Sequence, residues 1–147
     1  MVRNATIDDV SKIESIEKEL FADEGYSNAV IESNLSLDNY TTKVIEDNGK
    51  VVGYVTVSRV VDEAELLKIA VSKTYQKSGL GSKLILAIES ELKDNNIVSI
   101  FLEVKANNVS AIAFYERHGY ERISVREKYY KDTDAYIYRK RLNSDDT

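Results

Sequence analysis

The sequence predicts a mixed α/β layer protein, and three observations predict it. Strand-period and helix-period segments follow one another in the order β-α-α-β-β-β-α-β-α-β-β. An Asn48-Gly49 pair sits between two β-rich runs, a strong signal for an antiparallel hairpin. A strand–helix–strand unit over residues 64 to 104 implies a parallel crossover in the middle of the sheet. The 147 residues fit a single domain, 1–147, with one core. No repeat, low-complexity tract or Pro/Gly-rich linker marks a boundary, and proline is absent.

Val2 to Ala5 predicts a short first strand. Thr6 is a candidate helix cap with Asp8 and Asp9 in the first turn, and Val10, Ile13, Ile16 and Leu20 recur at helical spacing. Asn28 to Leu37 predicts a second short helix. Thr41 to Glu46 and Val51 to Val61 are the hairpin strands, and Ala64 to Val71 is the fourth. After a glycine-containing loop, Leu80, Leu84, Ile88 and Leu92 mark one face of a long helix. Ser99 to Val104 is the fifth strand. Asn108 or Ser110 caps another helix, which stops at His118-Gly119. Gly119 fits a left-handed closing residue, and His118 sits where a helix C-terminus favours positive charge. Glu121 to Tyr130 and Ala135 to Arg141 predict a last hairpin, and Asp145-Asp146 a frayed acidic end.

Composition narrows the chemistry. With no cysteine there is no disulfide framework, thiolate zinc site or cysteine nucleophile. The one histidine, His118, removes a multi-histidine metal site, and no acidic loop has calcium-type spacing. No metal is expected. A net charge of −5 does not suit nucleic acid. No window is apolar over a membrane-spanning length, and Met1 to Asp9 lacks the apolar run of a signal peptide, so a cytoplasmic location is expected. From Asp8 to Glu24 the acids Asp8, Asp9, Glu14, Glu17, Glu19, Asp23 and Glu24 outnumber Lys12 and Lys18. That excess describes a solvated helix face or a surface for basic peptides. Oligomeric state is not legible; a monomer or weak dimer is expected.

The segment Val71 to Ser82 joins a buried strand to a helix. Gly79 and Gly81 would let the backbone approach a ligand, and free N–H groups at the helix start make an anion cradle. Lys77 and Lys83 add positive charge, and the whole suits a pyrophosphate. The spacing fits neither a P-loop nor the Gly-x-Gly-x-x-Gly of dinucleotide-binding folds. A plain turning loop explains the glycines equally well.

Gln76-Lys77-Ser78-Gly79-Leu80-Gly81 resembles the Gln/Arg-x-x-Gly-x-Gly/Ala signature of the GNAT superfamily of N-acetyltransferases. Within it, Asp62 to Val71 resembles the fourth strand of the bacterial ribosomal-protein alanine N-acetyltransferases (the RimI group). So do Leu102 to Asn108 with Ala111, Ala113, Tyr115 and Gly119-Tyr120, and so does Tyr129-Tyr130 with Asp134-Ala135. The resemblance runs over nearly the whole chain. It implies the GNAT fold, a mixed central sheet of about seven strands with helices on both faces. It also implies acetyl-CoA as co-substrate. The cofactor-binding residues would be Ile69, Ala70, Val71, Gln76, Lys77, Ser78, Gly79, Leu80, Gly81, Ser82 and Asn108. Ile69-Ala70-Val71 would offer backbone groups to the pantetheine arm, like an added strand.

The catalytic pair that the resemblance implies is Glu103 as base and Tyr115 as the acid that protonates the CoA sulfur. Taken alone, Glu103 reads better as an edge or salt-bridged glutamate and Tyr115 as a core aromatic, and Asn108 also describes a simple helix cap. Tyr129 and Tyr130 suit either an acceptor groove or cross-strand packing.

The implied acceptor is a protein N-terminus, that of a small-subunit ribosomal protein beginning with alanine. An α-amine has a pKa near 8 and a lysine near 10.4, so deprotonation at pH 7 costs roughly 1 and roughly 4.6 kcal/mol. A modest base such as Glu103 suits the first. Lysine or a small-molecule amine as acceptor is the alternative within enzymes, and a non-catalytic acyl-CoA-binding module is the alternative of another class. Many family members carry Pro-Trp-Ser between the first two helices; here Glu24-Gly25-Tyr26-Ser27 stands there, with Tyr26 as the available aromatic. Without cysteine, transfer would be direct, in a ternary complex.

Overall fold

The computed structural model describes residues 1–142; Asp145-Asp146 lie outside the described residues. The strands are β1 (Val2–Asn4), β2 (Tyr40–Asp47), β3 (Lys50–Val60), β4 (Glu63–Val71), β5 (Ser99–Lys105), β6 (Glu121–Arg126) and β7 (Ala135–Arg141). The helices are α1 (Val10–Phe21), α2 (Asn28–Leu35), α3 (Leu80–Asp94) and α4 (Val109–Arg117). The strands form one seven-stranded sheet in the order β1-β2-β3-β4-β5-β7-β6. All neighbours are antiparallel except β4 and β5, the pair joined by the α3 crossover. The predicted element order is the observed one.

Two cores lie on opposite sheet faces. Leu84, Ile85, Ile88 and Leu92 of α3 and Tyr115 of α4 pack with Val55, Val57, Leu66, Ile100 and Leu102. Val10, Ile13 and Ile16 of α1 and Ile31 of α2 pack with Val44, Tyr54 and Ala70. Leu66 and Ala70 are four residues apart in one strand, yet they enter different cores. Strand alternation would put both on one side. A bulge resolves this: Val57 pairs with Leu66 and Thr56 with Lys68, leaving Leu67 unpaired. From there the faces exchange, so Lys68 and Ala70 turn toward α1 while Ile69 and Val71 turn toward α3.

β4 and β5 pair only at Glu63–Ser99, Ala64–Ile100 and Glu65–Phe101. Beyond that point the strands part, and the last six residues of β4 have no partner on the β5 side. The opening of the sheet here positions the candidate site.

Several local expectations differ. Helix α2 stops at Leu35, where Ser36 Oγ donates to the Ser33 carbonyl at 2.7 Å. Strand β6 stops at Arg126 rather than Tyr130. Lys128 is left-handed (φ 48°), and its N–H donates to the Asp134 carboxylate at 2.7 Å, which closes a loop. Tyr129 and Tyr130 are therefore loop residues, and cross-strand packing does not describe them.

The acidic segment is neither a solvated face nor a docking surface for most of its members. Asp9 is buried and takes both ends of the Arg3 guanidinium at 2.8 and 2.9 Å. Glu17 is wholly buried. Glu14 accepts the Asn28 N–H at 3.0 Å, and Glu19 accepts Ser72 Oγ and the Lys73 N–H, both at 2.9 Å. Glu14, Glu17 and Glu19 serve the two segments that flank α1's C-terminal half, Glu17 by accepting the Tyr26 N–H at 2.7 Å. Nothing in linear sequence distinguishes such a carboxylate from a solvated one.

Candidate active site

The end of β4, with the C-terminus of α1, the N-terminus of α3 and one side of α4, encloses a cleft of about 450 Å³. Ile69, Ala70, Val71, Gln76, Lys77, Gly79, Leu80, Gly81, Ser82, Asn108 and Tyr115 all line it. Two predicted residues do not. Ser78 is exposed and turns back on its own loop, its Oγ donating to the Tyr75 carbonyl. Glu103 lies on the sheet face opposite that of Leu102 and Val104, which enter the α3 core.

The loop is shaped by backbone and by one side chain. Lys77 and Gly79 are both left-handed, at φ 66° and 85°. The space where a Gly79 side chain would begin is open. Gln76 Nε2 donates to the Val71 carbonyl at 2.9 Å, which ties the loop to the end of β4. The first backward helical bond of α3 runs from the Lys83 N–H to the Gly79 carbonyl, at 3.2 Å. The N–H groups of Leu80, Gly81 and Ser82 precede it, and no side chain caps the helix. Three donors and the positive end of a 15-residue helix thus face the cleft.

Gly81 has another reason to be glycine. A Cβ there would come within 3.3 Å of the Phe114 ring, so its lack of side chain lets α3 and α4 approach. Lys83 is exposed and off the lining, whereas Arg117, not foreseen, is on it. Phe21 and Phe114 also line the cleft; their helical spacing reads only as core.

Tyr115 is 9% exposed, and burial pushes its phenol up to about 12. Its ring meets Phe114 and Tyr120 edge-on at 5.5 and 5.8 Å. Its hydroxyl has no hydrogen bond among the described residues and opens to the cleft. Asn108 caps α4: Oδ1 accepts the Ala111 N–H at 3.2 Å. Cap and cleft-lining residue are therefore one residue.

Glu103 is partly exposed and held from the end of β6 and the loop after it. Tyr130 Oη donates to its Oε2 at 2.9 Å, and the Arg126 guanidinium stands 3.5 Å from Oε1. Tyr130 is pushed up to about 12, by burial and then by this bond. It is thus a hydrogen-bond donor at neutral pH.

His118 ends α4 as expected, with Gly119 at φ 90°. It is not the cation that a helix end favours. Burial first, then Arg117 and Lys140, hold its imidazole below the ordinary value against the opposing pull of Glu89. Its Nε2 pairs with Ser82 Oγ at 2.9 Å.

A seven-stranded mixed sheet that opens beside an uncapped helix N-terminus is the architecture of one acyl-transfer family. The family model of the acetyltransferase (GNAT) family matches residues 7–120, and the chain belongs to that family. Among curated proteins, the ribosomal protein bS18-alanine N-acetyltransferase of Escherichia coli (strain K12) is 37% identical over 98 residues, 67% of this chain. That stretch spans 66% of the relative's own length. The N-alpha-acetyltransferase of Sulfurisphaera tokodaii is 29% identical over 92% of this chain and 89% of its own. The crystal structure of the ribosomal-protein-S18-alanine N-acetyltransferase from Escherichia coli superposes with a TM-score of 0.89 at 31% identity, covering 97% of this chain and 94% of that one. Among the described residues no cluster of three or more His, Asp or Glu side chains is placed to hold a metal, and no helix is long and apolar enough to cross a membrane.

Proposed function

We propose that this protein transfers the acetyl group of acetyl-CoA to the N-terminal α-amine of a protein, in a direct step within a ternary complex. The acceptor we favour is the N-terminal alanine of a small-subunit ribosomal protein. The observation that carries the reading is the cleft itself. The free β5-side edge of Ile69–Val71, three N–H donors at the α3 start and the free Tyr115 hydroxyl converge on one space. The donors suit a pyrophosphate, the strand edge suits an amide-bearing arm, and the phenol suits a leaving sulfur.

The chemistry divides among residues of this chain. The Ile69–Val71 backbone aligns the thioester and can donate an N–H to its carbonyl oxygen as charge develops there. The amine nitrogen bonds to the carbonyl carbon as the carbon–sulfur bond breaks. Glu103 takes the proton that the amine sheds, directly or through water, and Tyr115 gives its proton to the departing thiolate. A phenol pushed up to about 12 is fully protonated at neutral pH and ready to donate. Tyr130 and Arg126 keep the Glu103 carboxylate oriented. The names of the Escherichia coli relatives favour an α-amine acceptor, as does the smaller deprotonation cost of such an amine.

The test is acetyl-CoA turnover against N-terminal peptides beginning with alanine, lysine peptides with blocked N-termini, and polyamines. Turnover of the alanine peptides is expected. Turnover confined to polyamines or lysine would overturn the acceptor assignment, and coenzyme A binding with no turnover of any amine would make the chain a binding module.

A further inference from the structure

The start of α3 meets the end of α4 through two polar side chains. Ser82, the third residue of α3, lines the cleft and supplies one of the three free N–H groups there. Its Oγ stands 2.9 Å from His118 Nε2. The histidine is fixed by its own helix end. Its N–H donates to the Phe114 and Tyr115 carbonyls at 3.2 and 3.0 Å, and the Phe114 ring lies against the imidazole with centroids 4.8 Å apart. The same Phe114 ring seats on Gly81. His118 is thus held one side chain behind the anion cradle.

Charged groups face the imidazole from three elements. Glu89 of α3, two turns beyond Ser82, is buried and already accepts Tyr120 Oη and Lys140 Nζ, each at 2.9 Å. Lys140 comes from β7 and passes against Gly119. Arg117 of α4 lines the cleft. Burial is the main reason that the ring titrates below its ordinary value; Glu89 opposes it, and Arg117 and Lys140 add to it. The ring is therefore neutral at neutral pH.

The state of Nε2 decides what Ser82 offers. A bare Nε2 accepts the Ser82 proton, which leaves the oxygen lone pairs toward the cleft. A protonated Nε2 donates to Oγ and frees the hydroxyl to donate into the cleft. The neutral ring divides between these arrangements, whereas the imidazolium has only the second. An anion beside Ser82 favours that second arrangement and the positive ring together.

We infer that His118 is a positioning residue: it turns the Ser82 hydroxyl into a fourth donor to the pyrophosphate of the co-substrate, and it takes up a proton as that anion binds. The inference rests on the acetyl-CoA reading of the cleft, but on no choice of acceptor. The free ring titrates below about 6.5 and the liganded ring higher, so affinity rises as the pH falls from the liganded value to the free one.

The probe is dephospho-coenzyme A, whose two phosphates do not titrate in this range. His118 is the one histidine of the chain, so its ring resonances are assigned without ambiguity. Nuclear magnetic resonance titration of the unaltered chain is expected to show the ligand raising the His118 pKa by about one unit. Calorimetry should then show binding tighter by up to about tenfold at about pH 5.5 than at about pH 7.5, the limit that such a shift sets. Ser82→Ala is expected to bind about threefold more weakly at the lower pH and equally well at the higher, the scale of one hydrogen bond to a charged group. His118→Gln keeps an amide N–H for Oγ but cannot titrate, so its affinity should be the same at both. A His118 pKa that the ligand does not move, or a Ser82→Ala loss equal at both pH values, would overturn the inference and leave the cleft as the co-substrate site. Absence of binding at either pH would sink the co-substrate reading and the inference with it. The resonance titration needs no variant, so it decides even if one fails to fold.

Discussion

Tyr115 and Glu103 share the proton work of the proposed transfer from very different surroundings. Tyr115 is buried, unbonded at its hydroxyl and open to the cleft. Glu103 is partly exposed, with a partner on each oxygen. Tyr115→Phe keeps the ring packing and removes only the acid. It is expected to lower kcat about 100-fold, the usual worth of a positioned proton donor, with coenzyme A affinity by calorimetry unchanged. Glu103→Gln is expected to lower turnover, most strongly at the acid end of the pH profile where the amine arrives protonated. Unchanged turnover would remove Glu103 as the base. The types of these residues were legible in sequence through the family motif. Their partners were not: Tyr130 is 27 residues from Glu103, and only the loop closed by Asp134 brings them together.

At the scale of elements, the β4 bulge and the α3 start decide whether a site exists. Deleting Leu67 would restore simple alternation. Val57–Leu66 and Thr56–Lys68 would become consecutive pairs, with Lys68 still facing α1 and Ile69 still facing α3. Both cores keep their members, so the deletion is expected to preserve a cooperative unfolding transition in denaturant and to act on the shape of the opening beside β4, read as weaker coenzyme A binding by calorimetry. Substitutions at the two loop glycines should fail for different reasons. Gly79→Val demands a left-handed β-branched residue and should weaken coenzyme A binding by distorting the cradle. Gly81→Val instead pushes on Phe114, so its binding defect should come with lower thermal stability. The hairpin at Asn48-Gly49 was legible because both residues are left-handed, at φ 53° and 79°, as a tight two-residue turn requires. The bulge was not legible, since the run Leu66-Leu67-Lys68-Ile69 reads equally well with or without it.

For the molecule as a whole, titration follows the tyrosines at one end and the Arg3–Asp9 pair at the other. Burial raises Tyr54, Tyr115 and Tyr120, with Tyr115 at about 12. An unfolded phenol titrates near 10. The folded chain thus keeps protons that the unfolded chain has shed. That stability is fully present below about pH 10 and is lost as the pH rises through about 12. Denaturant midpoints should hold steady to about pH 10 and then fall. Asp9 behaves oppositely: the Arg3 guanidinium holds its carboxyl low, so its contribution is present above the ordinary carboxylate value and fades as the pH falls below it. Arg3→Ala should flatten the acid limb and leave the alkaline limb unaltered.

The sequence by itself determined the order of elements, the single parallel crossover, the anion-suited helix start and the family of the chain. These depend on local periodicity, turn chemistry and short motifs, which need no knowledge of distant partners. The tertiary structure alone decided where β4 changes face, how far β4 and β5 stay paired, and which carboxylates are buried. It also turned an acidic helix that reads as solvated into one whose carboxylates tie the segment after it and the loop after β4. Each of these is a choice between conformations of nearly equal local energy, and packing between residues far apart in the chain makes the choice.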